Sequence, residues 1–283
     1  MHRAHAHLKD LETKRDAWIK AALETVVEEP DPEGSGYYAA YVTPPVPDHA
    51  SLSLKAGDCL QCLRSALDHL AFELAAAFTS PMTHEIEQDS EFPILGNKDG
   101  RGQERFNQRR AKGALAGQPA PGSGLAKTRG MDPAAQAVIE GLQPYHRGNQ
   151  YESDPLWQLS FLTNIDKHRT IHVVGTVMEG ATMPVGGPNL PVNVAALGLA
   201  SGEPFMLEIK GDIAAEGRTK VARWPMIPID PGKEMHMGFK PVLDIAFDFA
   251  TPLVGGKGTG ITLGNLHDYL LSDVFPPLIP FLK

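Results

Sequence analysis

Two short strings concentrate side chains that can move protons or hold anions: RSALDHL at 64–70 and NIDKHR at 164–169. The first carries Arg64, Asp68 and His69, and the second carries Asn164, Asp166, Lys167, His168 and Arg169. Imidazole changes charge near neutral pH, so His69 and His168 are candidate acids or bases. Arg64 and Arg169 offer fixed positive charge to an anionic group, while Asp68 or Asp166 can orient an imidazole or bind a cation. Read as one site, Arg64, His69, Asp166 and His168 are the catalytic candidates, and Asp68, Asn164, Lys167 and Arg169 would contact the substrate. Such a site needs no metal. An alternative takes His69 and Glu73, i,i+4 on a helix, with Asp166 and His168 as ligands of a divalent metal. That set describes a metal-assisted hydrolase or lyase of a small molecule.

Both strings fall on segments with helical periodicity. In the helix expected from about Ser51 to Phe78, Leu60, Leu63, Leu67, Leu70 and Leu74 recur at 3-4 spacing, the seam of a bundle. Arg64 lies just beside Leu60 and Leu67, and Asp68 follows at i+4 on the same flank, shared by Gln61. His69 points well away from the leucines. Asp154-Pro155 opens another helix through about Arg169, where Leu159 and Leu162 define an apolar stripe that Asp166 and Arg169 continue. Charge on an apolar stripe must be paired. A purely structural reading pairs Asp166 with Arg169, or with Arg64 across the bundle, to fix helix register; the functional reading brings both helices to one pocket.

The remaining pattern is helices first, then strands. A helix is expected over about Ala4–Val26, a short strand over 36–45, and a short helix from Asp132-Pro133 through Leu142. Residues 79–131 lose periodicity. After Thr170, strands are expected at 171–178, 190–197, 203–210, 219–227 and 241–249, then a short helix from Asn265 to about Val274. This order predicts an α+β fold: an N-terminal helical bundle (1–170), then a mainly antiparallel β region with a closing helix (171–283), packed together as one unit, with the 36–45 strand a candidate to join the sheet.

Charge is uneven. Net charge is −8, yet 96–130 holds eight basic residues (Lys98, Arg101, Arg105, Arg109, Arg110, Lys112, Lys127, Arg129) against Asp99 and Glu104, about +6. This basic, flexible segment reads as a solvated loop or as a surface that meets phosphate. No run approaches the roughly 20 apolar residues of a membrane helix, and MHRAHAHLKDLETKRD lacks the apolar region of a signal peptide. With only two cysteines, a cytoplasmic protein that does not engage a membrane is expected. Cys59 and Cys62 form a CxxC inside a helix, where small core or near-core residues are expected rather than a redox or zinc motif. His2, His5 and His7 crowd a start expected to fray. The glycine-rich stretches at 183–191 and 253–260 fit no phosphate loop and read as hairpin loops.

Arg64 and His69 stand at R-x4-H spacing within a long bundle helix, which resembles HEPN-type helical domains. Many of these are metal-independent ribonucleases that often act as dimers. The resemblance implies that Arg64 and His69 are catalytic, with His69 handling the 2′-OH or the leaving-group proton, and that RNA and a second copy of the chain are partners. Ser65 stands where that family usually has another polar residue after the Arg. GDCLQCLRSALDHL and SFLTNIDKHR are also similar to segments of a set of uncharacterised bacterial proteins. Three classes therefore stand: a HEPN-like ribonuclease or RNA-binding protein, the metal-assisted enzyme of a small molecule, and a non-enzymatic ligand-binding or interaction protein.

Overall fold

A computed structural model describes residues 1–33, 36–113, 115–168, 171–177, 213, 217–225 and 241–282 of the chain. In chain order its elements are α1 (His2–Leu23), β1 (Val27–Pro30), β2 (Tyr37–Val42), α2 (His49–Phe78), α3 (His84–Asp89), α4 (Gly102–Phe106), α5 (Gly124–Lys127), α6 (Pro133–Gly141), α7 (Pro155–His168), β3 (Val173–Val177), β4 (Thr219–Pro225), β5 (Leu243–Phe247) and α8 (Thr259–Tyr269). A 3-10 stretch at Pro144–Ser153 leads into α7, and a π-helical turn at Leu270–Val274 extends α8. The fold is α+β. Among the described residues no helix is long and apolar enough to cross a membrane.

Contacts divide the chain into two units. The first comprises Met1–Asp10, Ser53–Ile171 and Gly260–Lys283; the second comprises Leu11–Leu52 and His172–Thr259. Residues 11–52 thus group with the strand-bearing segment, and the closing helix groups with the helices.

In the first unit the leucine seam of α2 is buried as its spacing predicts, with Leu60, Leu63 and Leu67 at zero exposure. The two Asp-Pro pairs start helices as expected. Asp132 Oδ1 accepts from Ala134 N at 2.7 Å and Asp154 Oδ1 from Leu156 N at 2.9 Å, each satisfying an amide that the first helical turn leaves free.

Residues 79–131, expected to be patternless, are instead broken into α3, α4 and α5 and bury Phe92, Phe106 and Met131. These anchors stand too far apart to make a period. Their neighbours are held by single polar side chains. Buried Gln143 donates to Pro93 O and Ile139 O, both at 2.9 Å, and accepts from Leu95 N at 3.0 Å. Gly124 is glycine because a Cβ there would run into the Phe106 ring.

The second unit holds a three-stranded antiparallel sheet, β1-β2-β4, and an antiparallel pair, β3-β5. The strand expected at 36–45 therefore does join strand 219–225. β1 has no sequence signal of its own, because VEEP has neither alternation nor β-branched density beyond Val27; it pairs with β2 along Val27–Pro30. Trp18, Tyr38, Val42, Val173, Val221, Leu243 and Ile245 form the core. The strands expected at 190–197 and 203–210 lie outside the described residues. α8 begins at Thr259, six residues before the expected start, because Gly258, Gly260 and Gly264 conceal its period.

Candidate functional site

Arg64 is the hub of a partly buried ion cluster. Its Nε donates to Asp68 Oδ2 at 3.1 Å, and its Nη2 lies 2.8 Å from Asp68 Oδ1. The same Nη2 donates to Glu91 Oε1 at 2.5 Å and to Phe92 O at 2.9 Å. Asp68 Oδ1 accepts from Phe92 N at 3.2 Å, and Lys127 Nζ meets Glu91 Oε2 at 2.8 Å. Burial pushes the Asp68 carboxyl up, against the Arg64 charge and the Phe92 amide. Burial acts the same way on Glu91 but is outweighed by Lys127, Arg64 and Lys167, which hold it below the usual carboxylate range. Arg64 thus fastens residues 91–92 to α2.

Asp166 sits half-buried on α7 against Gly57 of α2. A Cβ at position 57 would collide with its carboxylate, so the glycine permits this approach. Asp166 Oδ2 accepts from Gln61 Nε2 at 3.1 Å. The expected cross-bundle pair with Arg64 is not made among the described residues, because Arg64 is committed to Asp68 and Glu91. Arg169, the other expected partner, lies outside the described residues. Asn164, Lys167 and His168 are exposed at the end of α7, and Glu73 is exposed on α2.

His69 is exposed and lines a cleft of about 560 Å³. Asp58, Gln61, Cys62, Ser65 and Ala66 of α2 form one wall, and Met1, His2, Arg3 and His7 the other. His7 Nδ1 lies 3.8 Å from Asp58 Oδ2. Buried Cys59, its thiol pushed up to about 12 by burial and by Cys62, sits behind the wall and touches Ala4 O at 3.6 Å, while half-buried Cys62 faces the cleft.

The arrangement divides the expected site. Arg64 and Asp68 go to the ion cluster, and His69 goes to the cleft; Asp166 reaches the cleft only through Gln61, and Asn164, Lys167, Glu73 and His168 do not line it. Among the described residues no three His, Cys, Asp or Glu side chains are grouped to hold a metal ion, so the set His69, Glu73, Asp166 and His168 is not assembled. Sequence reasoning misses the second wall. The signal for it is the density of histidines at 2, 5 and 7, which the structure puts in helix α1 rather than in a frayed end.

The chain matches no protein-family model, no curated protein and no solved structure.

Proposed function

We propose that the chain is a metal-independent ribonuclease whose centre is the histidine cleft, with His69 and His7 as the proton-transfer pair and Arg3 as the phosphate contact. The observation that carries this reading is the company His69 keeps: two further imidazoles and a guanidinium, with Asp58 the one carboxylate among the lining residues. Two imidazoles suffice for phosphodiester transfer in RNA. His69 takes the proton of a 2′-OH as that oxygen bonds to the adjacent phosphorus. The bond from phosphorus to the 5′-oxygen breaks, and His7 protonates the leaving oxygen. A 2′,3′-cyclic phosphate and a 5′-OH result, with no metal or oxidant consumed. Arg3 offsets the charge that gathers on the phosphoryl oxygens, and the Asp58 carboxylate lies 3.8 Å from the His7 ring. In this reading the R-x4-H spacing keeps its histidine, and Arg64 serves the fold.

The test offers a labelled single-stranded RNA in the presence of EDTA to the parent, to His69→Ala and to His7→Ala. The parent is expected to cleave it, leaving cyclic-phosphate ends, and each variant to lose roughly 100-fold or more. Equal cleavage by parent and both variants, or cleavage of the all-deoxy strand, overturns the reading. RNA binding without cleavage is the second reading, favoured by the commitment of Arg64 and Asp68 to each other. It predicts that the parent binds the same strand and leaves it intact.

A further inference from the structure

The eight cations of 96–130 are not equivalent once folded. Arg101 pairs with Glu104 at 2.7 Å, Arg105 with Asp99 at 2.6 Å and Lys127 with Glu91 at 2.8 Å. Arg129 pairs with Glu85 and Asp89 at 3.1 and 2.6 Å. Among the described residues Lys98, Arg109, Arg110 and Lys112 have no carboxylate partner, and three of these four stand together. From Arg105 to Met131 the sequence contains no acidic residue at all.

The backbone that carries those three is braced. Residues 108–110 run antiparallel to 118–120 through a bridge between Arg109 and Pro119. Arg110 N donates to Gln118 O, Gly117 N to Arg110 O and Ala120 N to Gln108 O, each at 2.9 Å. Arg109 Nη1 also donates to Gly117 O at 2.8 Å, which holds its guanidinium without neutralising it. Gly113 and Gly117 take φ of +91° and +84°, turning the chain back on itself where other residues would be strained. Arg109, Arg110 and Lys112 are exposed.

We propose that Arg109, Arg110 and Lys112 form a docking surface for the phosphate backbone of single-stranded RNA. The proposal rests on the ribonuclease reading for the kind of polyanion, and on charge complementarity for the surface itself. Three neighbouring cations without a carboxylate partner among the described residues, on a chain of net charge −8, make a local attractor for a polyanion. Backbone pairing sets the main chain at Arg109 and Arg110 in advance, and the bond to Gly117 O holds the Arg109 guanidinium, which lowers the entropy cost of binding. A membrane surface is the less favoured polyanion. Peripheral membrane segments couple cations to several apolar side chains, and here, among the described residues, Leu115 is the one large apolar side chain exposed between Lys98 and Arg129.

The experiment measures binding of a fluorescent 20-nucleotide RNA by anisotropy across a salt series, using the His69→Ala protein so that cleavage does not interfere. Variants are Arg109→Gln/Arg110→Gln/Lys112→Gln together and, as a control of equal kind, Lys98→Gln. The triple variant is expected to bind at least about tenfold more weakly. It should also flatten the slope of log K against log salt by about 2, since each phosphate neutralised on a single strand adds roughly 0.7 to that slope. Lys98→Gln is expected to change neither. Unchanged binding and slope in a triple variant that melts like the parent overturns the proposal. So does a triple variant that keeps RNA binding but no longer attaches to anionic phosphatidylserine vesicles. Loop-dependent binding by a parent that never cleaves RNA upholds the docking surface while removing the ribonuclease reading, so the two failures are distinct.

Discussion

Replacing Arg64 by methionine separates a structural arginine from a catalytic one. Methionine keeps the unbranched stem beside Leu60 and Leu67 and removes the guanidinium. With it go the two-point pairing to Asp68 at 2.8 and 3.1 Å, the 2.5 Å bond to Glu91 and the 2.9 Å bond to Phe92 O. Breaking a fully buried ion pair costs about 3 to 5 kcal/mol, most of it from the charge left behind. Here the Arg64 side chain is 10 % exposed but those of its partners are 36 % and 46 % exposed, so water takes over part of their solvation. Glu91 also keeps Lys127. A cost of about 2 to 3 kcal/mol follows, which for a protein of this size lowers the melting temperature by roughly 3 to 5 °C. The assay is thermal unfolding by circular dichroism, paired with RNA cleavage at a temperature where the variant is still folded. The expected outcome is a lower melting point with cleavage retained in the folded fraction. A variant that melts within about 0.5 kcal/mol of the parent while losing cleavage would refute the reasoning, because Arg64 would then be acting on substrate rather than on residues 91–92.

Gly57→Ala should reverse the usual sign of a glycine-to-alanine change in a helix, which ordinarily stabilises by about 1 kcal/mol. Its methyl would strike the Asp166 carboxylate and break the Gln61 bond, for a net loss of about 1 to 2 kcal/mol. Urea unfolding checks this, and Gly57→Ala/Asp166→Ala should recover most of the loss; a Gly57→Ala protein more stable than the parent contradicts it. In the second unit, burial would raise Asp31, but the Lys220 hydrogen bond, the Glu33 amide and the Arg223 charge outweigh it and hold the carboxyl below its ordinary value of 3.8. Arg223 Nε lies 2.7 Å from Asp31 Oδ2, an ion pair by distance whose angle is too poor for a hydrogen bond. A carboxyl held low contributes stability above its unfolded value and loses it as pH falls through its folded value. Asp31→Asn should therefore be less stable than the parent at pH 7, with the gap closing as pH drops below about 4. Unfolding curves that keep a constant gap from pH 7 to 2 would argue against this.

The parts of the fold that are legible in the sequence are those in which many residues repeat one message. The α2 seam repeats leucine through five positions, and the Asp-Pro starts of α6 and α7 combine a side-chain acceptor with a preset φ. Segment 79–131 is illegible for the opposite reason. Phe92, Phe106 and Met131 are single anchors whose places are set by distant groups, such as the Gln143 carboxamide and the space left at Gly124. β1 is legible only through β2, since an edge strand with two glutamates has no apolar face of its own.

The division of the R-x4-H pair follows from helix geometry. Five residues at about 100° each put Arg64 and His69 roughly 140° apart around α2, so a core-facing Arg64 leaves His69 facing outward. By the same count Asp58, Cys62, Ser65 and His69 fall within about 60° of one another. These four are the charged, thiol, hydroxyl and imidazole groups that α2 gives to one wall of the cleft. That stripe is open to inspection in the sequence, hidden only by the attention an arginine draws. The opposing wall is not, because His2, Arg3 and His7 are more than fifty residues away in the chain and no periodicity links them to α2. The ribonuclease reading therefore turns on α1. If Arg3 meets the phosphate, Arg3→Gln must weaken cleavage while leaving the melting point alone, whereas Arg64→Met must do the reverse.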